Sequence, residues 1–204
     1  MWRMHVDFTH LAKAEAYRLL THTVLPRPIA WVLTENENRS YNLAPFSYFN
    51  MVSSDPGLLM ISVGHKRDGS KKDTWANIER RRRCVVHIAS GQHLSAVNET
   101  ARSLPAEASE LVAIDASLID EPGFDLPRLS ACAVAFDCQL YDLHLLGDGP
   151  QAVIYLQVKA AYLADELLVN DPTTPDAQAL DPLARLGGDD YAQLGAITGL
   201  PRPD

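Results

Sequence analysis

From Arg27 onward the sequence is a succession of short β-rich runs, IAWVLT, LLMISVG and CVVHIAS, separated by Asn, Pro, Gly and Asp. Apolar, β-branched runs of that length, closed by turn formers, predict strands. Two longer runs follow, ACAVAFDCQLYDLHLL and QAVIYLQVKAAYL, with Gly147-Asp148-Gly149-Pro150 between them, and they predict a hairpin of long strands. Gln157 and Lys159 alternate with Leu156 and Val158, the two-residue period of a strand with one wet and one packed face. Helices are fewer. Residues 9–20 predict one, with Thr9 as its cap and Leu11, Ala12, Ala16, Leu19 and Leu20 as an apolar face laid on the outside of a sheet. Residues 74–82 and 92–101 predict two more. Short strands with peripheral helices give an α+β or mainly-β barrel rather than a doubly wound sheet.

At 204 residues and 22.5 kDa the chain is sized for a single domain, with residues 171–204 as a C-terminal extension. A hydrophobic content of 47% with 22% charged residues fits a soluble globular protein, and no apolar run nears the ~20 residues of a membrane span. The N-terminal MWRMHVDFTHLAKAEAYRLL carries charges throughout and no secretory cleavage pattern, so the expected location is the cytoplasm. The sequons at Asn38 and Asn98 are then chance matches. A net charge of -8 speaks against nucleic acid as the main partner. The one basic block, Arg80 to Arg83, reads as a solvated face at a helix end. Cys84, Cys132 and Cys138 form no CxxC pair and are odd in number, which predicts buried thiols. His65, His87, His93 and His144 match no metal-ligand spacing, and Trp31 and Trp75 read as core aromatics. From Asn170 the composition turns to DPTTPDAQALDP, an exposed connection, with ordered structure resuming at Leu183.

Two segments carry chemistry. Lys71, Lys72, Asp73 and Thr74 precede the amphipathic stretch TWANIERR. Free N–H groups at a helix start, with a lysine and a hydroxyl just before them, can cradle a phosphate. The competing reading is an ordinary surface helix capped by Asp73. In NLAPFSYF, residues 42–49, Pro45 interrupts a strand-like run and implies an edge or irregular strand whose exposed amides and carbonyls can meet a planar ring, while Ser47 can reach a ribityl or phosphate oxygen. The competing reading is an edge strand with Phe46 and Phe49 in the core.

RPIAWVLT, NLAPFSYFN, SDPGLLMISVG and KKDTWANI, in this order between about residues 24 and 88, together resemble the flavin reductase-like family, which folds as an FMN-binding split β-barrel. A weaker echo is PLARLGGDDYAQLG near the C-terminus. The resemblance implies flavin contacts at Asn42, Ala44, Pro45 and Ser47, a pocket strand ending at Ser62, Val63 and Gly64, and phosphate contacts at Arg67, Lys72 and Thr74. Arg27 and Trp31 become pocket neighbours, and His65, directly after the pocket strand, could contact a substrate. It further implies FMN as cofactor, with FAD possible, NAD(P)H as electron donor, a homodimer with the flavin near the subunit interface, and a monooxygenase or other redox protein as partner. Within the same family a flavoredoxin-like electron carrier is the alternative to a reductase. No GxGxxG fingerprint, GxSxG elbow or HExxH helix is present, so binding residues rather than a catalytic triad are expected. Residues 171–204 are left to cover the pocket or to embrace a second subunit.

Overall fold

In the computed structural model, which describes residues 5–105, 107–149, 151–168 and 173–203, the β-rich runs assemble into one seven-stranded antiparallel sheet and two small ones. The strands are β1 (Arg27–Pro28), β2 (Ala30–Glu35), β3 (Tyr41–Phe46), β4 (Phe49–Ser54), β5 (Gly57–Val63), β6 (Arg83–Ile88), β7 (Leu118–Ile119), β8 (Arg128–Leu129), β9 (Val134–Leu146), β10 (Gln151–Leu163), β11 (Ala184–Arg185) and β12 (Tyr191–Ala192). The helices are α1 (Lys13–Thr23), α2 (Asp73–Arg81), α3 (Leu94–Glu99) and α4 (Ala177–Leu180). The large sheet runs β3-β2-β6-β9-β10-β5-β4, and the expected hairpin is β9–β10, its turn carried by Gly147 at φ 75°. Pro150 of that turn lies outside the described residues.

Why β2 reads as a continuous apolar run follows from its position. Ala30 and Val32 face an inner core with Phe46, Ile61, Trp75, Val86 and Ile154, whereas Trp31 and Leu33 face an outer core with Leu43, Val85, Val97, Leu129 and Ala135. A strand packed on both faces has no wet side to alternate with. Trp31 and Trp75 are both core side chains, and all three cysteines are free and buried. The edge strands β3 and β4 are joined by a bend at Ser47 and Tyr48, and Ser62 N–H donates to Tyr48 O at 2.8 Å, so the β3–β4 corner is folded back onto β5.

Three local expectations are corrected. The first helix begins at Lys13, because Asp7 accepts from Thr9 N–H and Oγ1 and closes a separate 3-10 turn over Phe8–His10, and Leu20 stays exposed instead of packing on the sheet. The 92–101 helix is a 3-10 turn at Gly91–His93 followed by α3, which ends at Glu99. The arginine block ends α2 with Arg80 and Arg82 exposed, as expected, but its face is not unpaired. Arg80 pairs with Glu37, Arg83 pairs with the buried Glu35 at 2.9 Å, and Arg82 takes the left-handed C-cap at φ 64°. Beyond residues 170–172, which lie outside the described residues, Asp176 caps α4, Leu183 is buried, and β11 pairs with β1.

Candidate functional site

The start of α2 lacks the cap that its sequence offers. Its N-cap is Lys72, with no side-chain cap bond, because the Asp73 carboxylate turns away to Lys66 Nζ at 2.7 Å. The first intrahelical bond is from Ala76 N–H to Lys72 O at 3.1 Å, which leaves the N–H groups of Asp73, Thr74 and Trp75 without a protein acceptor among the described residues. An uncapped helix start concentrates the positive end of the macrodipole. Lys72 sits at that start with its Nζ 5.7 Å from the Phe46 ring centroid, and among the described residues no carboxylate pairs with it. Although Lys72 remains solvent-accessible, the protein crowding its ammonium costs it hydration and pulls its pKa below the ordinary lysine value.

Thr74 is almost fully buried at 1% exposure, and its orientation is fixed by a polar chain running under α2. Asn42 Nδ2 donates to Thr74 Oγ1 at 2.9 Å; Asn77 Nδ2 donates to Thr34 Oγ1 at 3.1 Å and to Asn36 Oδ1 at 2.7 Å. These bonds tie α2 to the β2–β3 hairpin. With its oxygen already accepting, the Thr74 hydroxyl keeps its proton for the cavity.

That cavity encloses about 120 Å³ and is lined by Asn42, Ala44, Pro45, Phe46, Lys72 and Thr74, by the ion-paired Lys66 and Asp73, and by Thr100 to Leu104 and Glu110. A second, of about 140 Å³, shares Pro45 and Ala101 with it and adds Ser47, Asn98, Arg185 and Tyr191. Each is smaller than the ~300–1,000 Å³ of an ordinary ligand pocket, but the shared walls make them two parts of one groove. The β3 edge from Asn42 and the bend at Ser47 form its floor, a run of about 17 Å at ~3.4 Å per residue; β3 pairs with β2 in unbroken register, so Pro45 marks an edge strand rather than an irregular one. On the far side of Ser47 lies a third, apolar cavity of about 440 Å³, bordered by Leu20, Val24, Tyr48, Phe49, Met60 and Arg27.

Asn42, Ala44, Pro45, Lys72 and Thr74 are thus brought together, with Ser47 at the next bend. Ser62 faces the apolar cavity and accepts from Gln151 Nε2 at 3.0 Å. Val63 is buried in the inner core, Gly64 follows β5 beside Gln151, and Arg67 stands exposed in the Lys66–Ser70 turn, beside the lining residue Lys66 but not itself in the cavity wall. Of the histidines, His65 rests edge-on against Trp75, and His87 is locked in the core between Trp31 O and Leu129 N–H. Arg102, Ser103 and Glu110 were not predicted. Thr100, the C-cap of α3, places the first two by accepting from Trp31 Nε1 at 2.9 Å, and the Thr-Ala-Arg-Ser run after the helix gave only a faint signal for it. Glu110 reaches the groove from a 3-10 turn and accepts from Leu43 N–H at 2.9 Å; burial raises its pKa.

The model of the Flavin reductase like domain matches residues 21–176. An uncharacterized protein of Halalkalibacterium halodurans is 34% identical over 98% of this chain and 97% of its own length. Among solved structures, nitrilotriacetate monooxygenase component B from Bacillus cereus superposes with a TM-score of 0.91 at 30% identity, covering 98% of this chain and all of that one. The Pseudomonas fluorescens 2-nitrobenzoate 2-nitroreductase superposes with a TM-score of 0.86 at 28% identity, covering 98% and 96%.

Proposed function

This chain belongs to the flavin reductase-like family and has its split-barrel fold, and we propose that it binds FMN in the groove along β3 and acts as an NAD(P)H-dependent flavin reductase. The observation that carries the reading is the uncapped start of α2, where an unpaired lysine, a buried hydroxyl donor and free backbone N–H groups face one cavity. This donor set fits a phosphate monoester: it offers positive charge and hydrogen-bond donors and has no metal-binding cluster among the described residues. FMN rather than riboflavin satisfies it, and FAD would have to lead its second phosphate out past Arg102.

The residues have separable roles in this reading. Lys72 and Thr74 hold the phosphate, Asn42 orients Thr74, and the β3 edge at Ala44 and Pro45 lies along the ribityl chain. The Ser47 bend receives the ring end. Bound flavin would supply the electron chemistry, with the protein contributing binding, orientation and charge. The third cavity is bordered by the exposed Leu20 and Val24 at the end of α1 and by Tyr48 of the β3–β4 bend, and this apolar surface supports a homodimer closing over the ring end. The Bacillus cereus relative, named as a monooxygenase component, supports a redox partner of the monooxygenase class.

The test is the visible spectrum of the purified protein with added FMN, followed by NADH or NADPH without oxygen. Bleaching of the bound flavin by either nucleotide is the expected result. Flavin that binds but is not bleached would make the protein a flavoredoxin-like carrier, and no flavin binding at all would remove the reading.

A further inference from the structure

Arg27 and Arg185 are direct cross-strand partners in the β1–β11 pair. Like charges set opposite each other in an antiparallel pair repel and cost stability, so the arrangement calls for compensation. None comes from a carboxylate. Arg27, only 7% exposed, donates from Nη1 to Thr21 O at 2.7 Å and Val24 O at 3.0 Å, from Nη2 to Leu186 O at 2.7 Å, and from Nε toward Ser47 Oγ at 3.5 Å. Arg185 donates to Gly188 O and lies over the Tyr191 ring, 4.4 Å from its centroid. Every acceptor is neutral, and the ion pairs among the described residues use other arginines. Buried charge left without a counter-charge is expensive.

The loop that brings the pair together is built for close approach. A Cβ on Gly187 would sit 2.3 Å from the His22 ring, so only glycine lets the Leu186–Gly188 loop dock on α1 and offer its carbonyls to both guanidinium groups. Both side chains border the Ser47 bend: Arg185 lines the second part of the groove and Arg27 the apolar cavity behind it, with Ser47 common to the two.

We propose that the Arg27–Arg185 pair is the charge-setting end of the groove, opposite Lys72, and that it favours the reduced, anionic form of the bound flavin ring. The inference rests on the FMN reading. When two electrons and one proton enter the oxidised ring, one negative charge remains on it at neutral pH, and charge placed beside the ring nitrogens tunes that step. The electrons come from the nicotinamide nucleotide or, in the test, from dithionite. The two arginines act as positioning and electrostatic residues, not as proton donors.

The experiment measures the dissociation constants of oxidised FMN and of anaerobic, dithionite-reduced FMN for the wild-type protein and for Arg185→Gln, Arg27→Gln and Arg27→Lys, with thermal unfolding as a fold control. Each Gln variant should weaken reduced FMN at least tenfold while changing oxidised FMN less than threefold. A tenfold selective loss lowers the midpoint potential by about 30 mV for a two-electron couple. Arg27→Lys, which keeps the charge, should recover most of the selectivity. Should Arg27→Gln unfold, Arg185→Gln carries the comparison alone. Equal losses for both forms, or none, overturn the inference while leaving the FMN site in place; a wild-type protein that binds neither form overturns both.

Discussion

Asn42 and Thr74, 32 positions apart in the chain, share a buried hydrogen bond of 2.9 Å from Nδ2 to Oγ1. That bond links the β3 edge to the start of α2, so the floor of the groove and its proposed phosphate end are tied together. Asn42→Ala should release the Thr74 hydroxyl and lower FMN affinity about tenfold, with a stability loss of about 1–2 kcal/mol for the broken buried bonds. Fluorescence titration and urea unfolding check the two effects separately.

Glu110 places a carboxyl in the same cavity, where it accepts from Leu43 N–H and where burial raises its pKa. A carboxyl whose folded-state pKa is raised destabilises the fold while ionised and regains stability as pH falls through that pKa. Glu110→Gln keeps an acceptor for Leu43 and removes the ionisable group beside the proposed phosphate end. It should raise stability at neutral pH and tighten FMN several-fold, whereas Glu110→Ala, which strands the Leu43 N–H, should cost about 1–3 kcal/mol.

His87 gives the fold a sensitivity to acid. Its ring lies in the core, with Nδ1 3.0 Å from Trp31 O and Nε2 accepting from Leu129 N–H at 2.9 Å, so the neutral tautomer protonated on Nδ1 fits both neighbours. Burial drives its pKa from 6.5 down to about 4. Between those values the unfolded chain binds the proton and the folded one does not, so stability falls as pH drops through this window. From pH 7.5 to pH 4.5 the loss assigned to His87 is on the order of 2–3 kcal/mol. It should appear as a smaller fall in urea-unfolding free energy over that pH range for His87→Gln than for the wild-type protein.

The cysteines should be silent in the native state. Cys84 and Cys138 face each other across β6 and β9 in the inner core, and burial pushes the Cys132 thiol up to about 12. A thiol without access or thiolate character reacts slowly. An aromatic disulfide reagent should label fewer than one thiol per chain in native buffer and all three in denaturant.

The sequence made much of this architecture readable, for identifiable physical reasons. Alternation in Gln157 and Lys159, and glycine at a hairpin turn, are local signals that survive in the fold. That Lys72 and Thr74 meet at a helix start beside one cavity was legible because the two lie close in sequence. Asp73 was ambiguous, since whether it caps α2 depends on Lys66, which only the turn between β5 and α2 brings near. Arg102, Ser103 and Glu110 depend on long-range packing through Thr100 and Leu43, and the Arg27–Arg185 pairing spans most of the chain. No local pattern encodes such meetings. The ion pairs of the arginine block were hidden for the same reason, because their partners Glu35 and Glu37 lie on the β2–β3 hairpin.

The most direct test of the groove is a paired titration of FMN and riboflavin, which differ by the phosphate alone, against the wild-type protein and the double variant Lys72→Ala/Thr74→Ala. Two charge-assisted contacts at about 1.5–3 kcal/mol each correspond to a loss of at least about a hundredfold for FMN. Riboflavin affinity should change less than threefold. Equal losses for the two ligands, or undiminished FMN binding by the double variant, would contradict a phosphate site at the start of α2.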